Sequence, residues 1–301
     1  MTHYDQSTGT LTLHNYMDFV DLTDYATLSY ELNCDGQVVS AGSVPFPGGF
    51  RLPPHADGTL PLSLDVPAKG KCFVNICYHC KQDSALIKAD HLLGFDEIPL
   101  QNSDPRNQDA VQLLGRPAGD GLITIRETDR MLVLSCEQFT YVFNKLTGLF
   151  DKMTFANEPL LDQPMGFNVW RAPTDNDRKL KADWYAAHYD HAATNAYHTE
   201  YTVTASGVTL HTHVGIAAIC VQKFLDLDVT WTVANNGSVD LALHAQRNTV
   251  FPELPRFGLR LFLPQEMSQV NYYGMGPMEC YCDKHHAASH NSYTATVWQL
   301  H

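Results

Sequence analysis

The sequence predicts an all-β protein: an immunoglobulin-like sandwich followed by an incomplete β-supersandwich. Three observations predict it. Apolar and polar residues alternate with period two in several short runs, as in half-buried strands. Gly, Pro, Asp and Asn punctuate those runs at short intervals, as hairpin turns require. Only two stretches, 181–192 and 283–290, have a helical pattern.

The elements follow in order. Leu28, Tyr30 and Leu32 alternate with Thr27, Ser29 and Glu31. Asp35-Gly36 then predicts a tight hairpin, because such turns need positive φ, and Val38 and Val39 begin the return strand. The stretch 45–54 is too rich in Pro and Gly for regular structure. Leu60, Leu62, Leu64 and Val66 resume period two. Pro61 cannot donate to a ladder, so it marks the start or edge of its strand. Strands over 72–80 and 91–100 complete a first module at 1–100. The polar stretch 101–120, with its Pro, Gly and Asp, reads as a linker. A second module, 121–301, opens with Leu122. Phe139, Tyr141 and Phe143 share one strand face, and Thr147-Gly148 turns the chain. The clearest strand carries Leu225, Leu227, Val229, Trp231 and Val233 on one face. Asp226, Asp228, Thr230 and Thr232 occupy the other. Asn236-Gly237 then turns into Val239, Leu241, Leu243 and Ala245.

Composition bounds the function. The chain has 301 residues, 44% of them apolar, enough for packed cores. Its formal net charge of −13 disfavours phosphate backbones and anionic lipid, so neither nucleic acid nor membrane is an expected partner. No apolar run approaches the roughly 20 residues of a membrane span. The first residues, MTHYDQSTGT, lack the basic and apolar regions of a signal peptide. A cytoplasmic location with eight reduced thiols is therefore expected.

Metal and nucleophile patterns are weak. Cys77 and Cys80 lie within one strand pattern and would point to opposite faces, so ordinary thiols are expected. Cys280 and Cys282 form only a C-x-C. Asp283, His286 and His290 could share a helix face but lack the H-E-x-x-H glutamate. His211 and His213 share a strand face without further ligands. No metal site is expected, and no G-x-S-x-G, Walker or dinucleotide loop is present. The 33 acidic residues assign no glycosidase acid and nucleophile, which need a defined separation in space.

Two regions combine ionic groups with aromatics beyond what turns require. The first is GFNVWRAPTDND at 166–177. The second, over 254–284, holds LPRFGLRLFLP and NYYGMGPMECYCDK. A buried Arg must pair, so Arg171 is expected to be held by carboxylates in a fixed loop.

These stretches carry a family resemblance. R-A-P-T-D-N-D, L-P-R-x-G and G-x-G-P-x-E-x-Y-x-D-K resemble the C-terminal "small chain" domain, a β-supersandwich, of the β-galactosidases of glycoside hydrolase family 2. Residues 1–100 resemble the immunoglobulin-like domain before it, through Asn15 to Phe19, Tyr30-Glu31-Leu32 with Asp35-Gly36, and the strand 91–100.

The resemblance implies several further things. The catalytic acid and nucleophile of such enzymes, with most magnesium and sodium ligands, belong to an upstream (β/α)₈ barrel. No catalytic residue is therefore expected here. The chain would be a C-terminally truncated, non-catalytic portion of an enzyme that hydrolyses terminal β-D-galactosides such as lactose. Its partners would be the barrel or large chain and the β-galactoside, within an oligomer. Trp298 comes too early to be the tryptophan that the family's later segment sends to the sugar site. Arg171, Asp175, Asn176, Asp177, Arg178 and Lys179 would lie at the mouth of the active site. Arg256, Gly274, Gly276, Pro277, Glu279, Tyr281, Asp283 and Lys284 would be structural motif residues. A carbohydrate-binding or scaffolding sandwich without hydrolase partner is the alternative.

Overall fold

A computed structural model describes residues 2–100 and 121–299; the linker expected at 101–120 lies outside them. Strands dominate, as the sequence predicts. The chain divides into two compact units, one drawn from Met1–Val111 and Gln269–His301, the other from Gln112–Ser268.

The first unit contains β1 (His3–Asp5), β2 (Thr10–His14), α1 (Leu22–Tyr25), β3 (Ala26–Cys34), β4 (Gln37–Val44), β5 (Asp57–Pro61), β6 (Cys72–Cys80) and β7 (Leu92–Pro99). One sheet has the order β1-β2-β5 and the other β4-β3-β6-β7. Leu11, Leu13 and Leu60 from the first sheet share a core with Leu32, Val74 and Ile76 from the second. Full burial of each such side chain stabilises the fold by about 1.5–3 kcal/mol relative to exposure. Asp35 and Gly36 take φ of 50° and 78°, as the hairpin between β3 and β4 requires. Pro61 ends the edge strand β5, where its missing N–H is harmless. Leu64 and Val66 keep the apolar period but lie beyond the strand, packed as single side chains against the core.

In the second unit, β8 (Thr124–Glu127), β9 (Met131–Ser135), β10 (Phe139–Asn144), β11 (Leu149–Phe155) and β12 (Glu158–Pro159) form one sheet, in the order β12-β11-β10-β9-β8. Next come β13 (Gln163–Asn168) and α2 (Lys181–Ala186). A second sheet has the order β14 (Ala193–Thr204), β15 (Gly207–Ala217), β16 (Leu225–Ala234) and β17 (Val239–Arg247). Strand β18 (Gly258–Phe262) pairs with β13. The two larger sheets share one core. Phe143 and Phe150 of the first meet Val214, Leu227 and Trp231 of the second. On β16, Leu225, Leu227, Val229, Trp231 and Val233 are all buried.

The turns of this unit are built into its core. Trp231 Nε1 donates to Gly148 O at 3.0 Å, and Tyr141 OH donates to Gly237 O at 2.8 Å. Gly237 has φ of 84°, and a Cβ there would meet the Phe155 ring at 2.8 Å. Only glycine serves both conditions.

The last hairpin, β19 (Gln269–Gly276) with β20 (Ser289–Thr296), belongs to the first compact unit. The sequence division of 1–100 and 121–301 groups it with the second. Three contacts attach it to the sandwich. Glu97 accepts from both the backbone N and the Nδ1 of His290, each at 2.6 Å. Phe73 stacks on the His290 ring at 4.2 Å. Gly36 packs so closely that a Cβ would fall 2.1 Å from Ser292 Oγ. The helix expected over 283–290 is replaced by a turn, closed by an isolated bridge between Tyr281 and Lys284, and by the start of β20. Cross-strand pairing of Ser289 and His290 overrides the helical spacing of Asp283, His286 and His290.

Candidate functional site

The segment after β13 is a loop of the second unit held by side-chain hydrogen bonds. Arg171 forms a two-pronged ion pair with Asp177: Nη2 donates to Oδ1 at 2.8 Å, and Nη1 donates to Oδ2. The Thr174 backbone N–H and Oγ1 donate to the same Oδ2, at 2.8 and 3.0 Å. The Arg171 hydrogen bonds, and then those from Thr174, hold the Asp177 carboxyl well below the usual carboxylate range. Asp177 is thus an anion locked in place, as the expectation for Arg171 requires.

That lock shapes the loop. Residues Asp175–Lys179 form a 3₁₀ turn that leads into α2. Asp177 points inward, while Asp175, Asn176, Arg178 and Lys179 are exposed around the turn. Arg171 also lies 5.2 Å over the Trp184 ring of α2. Its Nε donates to Pro255 O at 3.3 Å. The R-A-P-T-D-N-D and L-P-R-x-G stretches, 84 residues apart in chain at that bond, therefore meet in space. Tyr189 OH donates to Pro252 O at 2.7 Å, and Arg247 reaches Phe251 O at 2.6 Å and Glu253 at 2.7 Å. These bonds tie the 252–256 stretch to α2 and its neighbours.

The third motif lies in the first unit. Gly274 and Gly276 end β19, and the Gly276–Pro277 peptide bond is cis. Tyr281 OH donates to Glu279 at 2.6 Å, and Lys284 lies 4.0 Å from Glu279 and over the Tyr281 ring. Asp283 is exposed in the turn. Gly276 O accepts from Tyr293 OH at 2.8 Å. The motif is a local turn motif held by β20.

Sequence reasoning omitted Thr174, Trp184 and Asn168. Thr174 had a readable signal: T-x-x-D ahead of a helical segment is a capping pattern. Trp184 and Asn168 had none, because no short-range rule sets Trp184 under Arg171 or pairs Asn168 with Gly258. Among the described residues, no group of three or more His, Cys, Asp or Glu is placed to hold a metal ion. None of the eight cysteines is in a disulfide. Burial, with the neighbouring Cys72, pushes the Cys34 thiol up to about 12, so it carries no thiolate at neutral pH. Among the described residues, no helix is long and apolar enough to cross a membrane.

An immunoglobulin-like sandwich and a larger sandwich, with an Arg–Asp locked turn before the second sheet of the latter, define the class: a two-unit all-β chain. Comparison with known proteins makes this specific. The family described as "Beta galactosidase small chain" matches residues 135–301, and "Beta-galactosidase, domain 4" matches residues 11–101. The chain belongs to the β-galactosidase small-chain family. It is 33% identical over 291 residues to a β-galactosidase of Actinobacillus pleuropneumoniae, a match covering 97% of this chain and 28% of that protein. It is 30% identical over 279 residues to one of Staphylococcus xylosus, covering 91% and 27%. To one of Vibrio cholerae it is 27% identical over 305 residues, covering 97% and 28%. The chain thus spans little more than a quarter of the curated relatives it matches.

Proposed function

We propose that this chain is the non-catalytic C-terminal portion of a β-galactosidase that hydrolyses terminal β-D-galactosides such as lactose. It shapes the mouth of the active site and supports the assembly. The observation that carries the reading is the lopsided coverage: nearly the whole chain matches proteins named β-galactosidase, and it spans 28% of one of them. The locked turn supports the placement at the mouth. With Asp177 bound to Arg171, the exposed Asp175, Asn176, Arg178 and Lys179 are offered at the rim of a fixed loop rather than on a free one. Retaining glycoside hydrolysis needs two carboxyl groups flanking the bond, and these are contributed by a barrel domain or large chain as partner. The complete, cytoplasmic and oligomeric enzyme would use magnesium and sodium. Among the described residues here, no group of three or more His, Cys, Asp or Glu is placed to hold either ion.

The test has two arms. The purified chain is assayed on a chromogenic β-galactoside, and no hydrolysis above buffer is expected. The chain is then added to a β-galactosidase lacking the corresponding C-terminal portion, and activity should return. Turnover by the chain alone, surviving further purification, would overturn the reading. No rescue, with galactoside binding by the chain alone, would favour the carbohydrate-binding alternative.

A further inference from the structure

A cleft of about 540 Å³ opens beside the strand pair β13–β18, lined by Asn168, Trp170, Arg256, Gly258 and Arg260 among others. The donors in it are unusual for a chain of net charge −13. Arg171 borders the cleft, but its charge is committed to Asp177. Arg256 and Arg260 have no ion-pair partner among the described residues, and no acidic side chain lines the cleft. Arg260 lies on β18 and Arg256 two residues before that strand begins, and both line the cleft. Between them stands Gly258, where an added Cβ would meet nothing within 4 Å. The glycine leaves a hollow between the two cations. Across the strand pair, Asn168 is the register partner of Gly258. Its Oδ1 accepts from Trp170 N at 3.2 Å, which leaves the amide N–H₂ as the free end. Arg260 rests its guanidinium over the Phe262 ring at 4.7 Å. Such stacking uses the face of the group and leaves its N–H edge for a ligand.

We infer that the Arg256–Gly258–Arg260 hollow is a binding site for a small multivalent oxyanion, a phosphate or a di- or tricarboxylate, held between two guanidinium forks with the Asn168 amide as a third donor. The site presents donors and no acceptors of like charge, and guanidinium forks match both oxyanion geometries.

The experiment is isothermal titration of the full chain with inorganic phosphate and, separately, with citrate. It is run near 0.15 M salt, where charges beyond a Debye length of about 8 Å are screened. Saturable one-site binding of at least one anion is expected, and the anion that binds tells tetrahedral from planar recognition. Arg256→Gln and Arg260→Gln should each weaken it about tenfold, a loss of about 1.4 kcal/mol. The double variant should show no saturable heat, while Lys152→Gln on β11 should bind as the parent does. Both arginines are exposed, and an unchanged melting curve confirms that the variants fold. No saturable heat with either anion, binding retained by the double variant, or an equal loss in Lys152→Gln would each overturn the proposal.

Discussion

The two sandwich cores use different materials. The first is mostly aliphatic, with Leu11, Leu13, Leu32, Leu60, Val74 and Ile76 filling the space between sheets. The second is rich in aromatics: Phe139, Tyr141, Phe143, Phe150, Tyr189, Phe224 and Trp231 are all buried. Aliphatic side chains fill volume without fixing any backbone group. The aromatics of the second unit also bind specific turns, through Trp231 to Gly148 and Tyr141 to Gly237. Phe150 meets Trp231 edge to face at 5.2 Å and Phe143 at 5.3 Å. The second core therefore specifies where its loops sit, and the locked Arg171–Asp177 turn is one of the loops it carries. The first core specifies mainly that two sheets face each other.

The sharpest way to break this contrast is Trp231→Ala. It removes a fully packed aromatic and strands the Gly148 carbonyl, so a loss of about 3–5 kcal/mol is expected. Urea unfolding followed by the remaining tryptophans measures it, and a loss under about 1 kcal/mol would mean that the aromatic core is not the keystone of its unit. Leu32→Ala comes next, at about 2–5 kcal/mol. Its effect should appear in the far-ultraviolet dichroism transition and, in a Trp298→Phe background that removes the first unit's tryptophan, leave the fluorescence of Trp170, Trp184 and Trp231 unshifted, since all three lie in the other unit. Coincident shifts of both signals would join the two units into one cooperative block.

Smaller effects sharpen the comparison. Tyr141→Phe keeps the ring and deletes the hydroxyl, so about 0.5–1.5 kcal/mol should be lost. Tyr4, whose hydroxyl donates to Leu62 O at 3.0 Å, is the matching site in the first unit, and Tyr4→Phe should cost a similar amount. A much larger loss at Tyr141 would show that its turn, and not the bond alone, depends on it. The smallest effect is a pH dependence. Asp177 binds its proton less readily in the folded turn than in the unfolded chain. Its contribution is complete above the ordinary carboxylate pKa of about 3.9 and is lost as pH falls below it. Amide protection factors over 174–180, with the intrinsic pH dependence of exchange divided out, should therefore fall in acid, and Asp177→Asn should flatten that profile. Unchanged acid sensitivity in the variant would assign the effect to another group.

Much of the architecture was legible from residue order. The period-two run of β16, the Asp35-Gly36 turn and the edge position of Pro61 follow from rules that act within a few residues. Arg171 was legible as a group that must be paired, because burial of an unpaired guanidinium is costly. What could not be read was the partner of each long-range contact. The helical spacing of Asp283, His286 and His290 was misleading, because pairing with β19 and contacts with Glu97 and Phe73, about two hundred residues earlier, decide that segment.

The sequence by itself determined that the chain is built of strands, where its tight turns fall and which strand faces are apolar, since those properties depend on local sterics and side-chain period. Only the tertiary structure decided that the last hairpin joins the first unit, that Arg171 reaches Pro255, and that residues 168–172 and 256–260 line a common cleft. The physical reason is the same in each case. A hydrogen bond or a shared cleft between distant segments is set by how sheets pack in three dimensions, and no short-range periodicity encodes that distance.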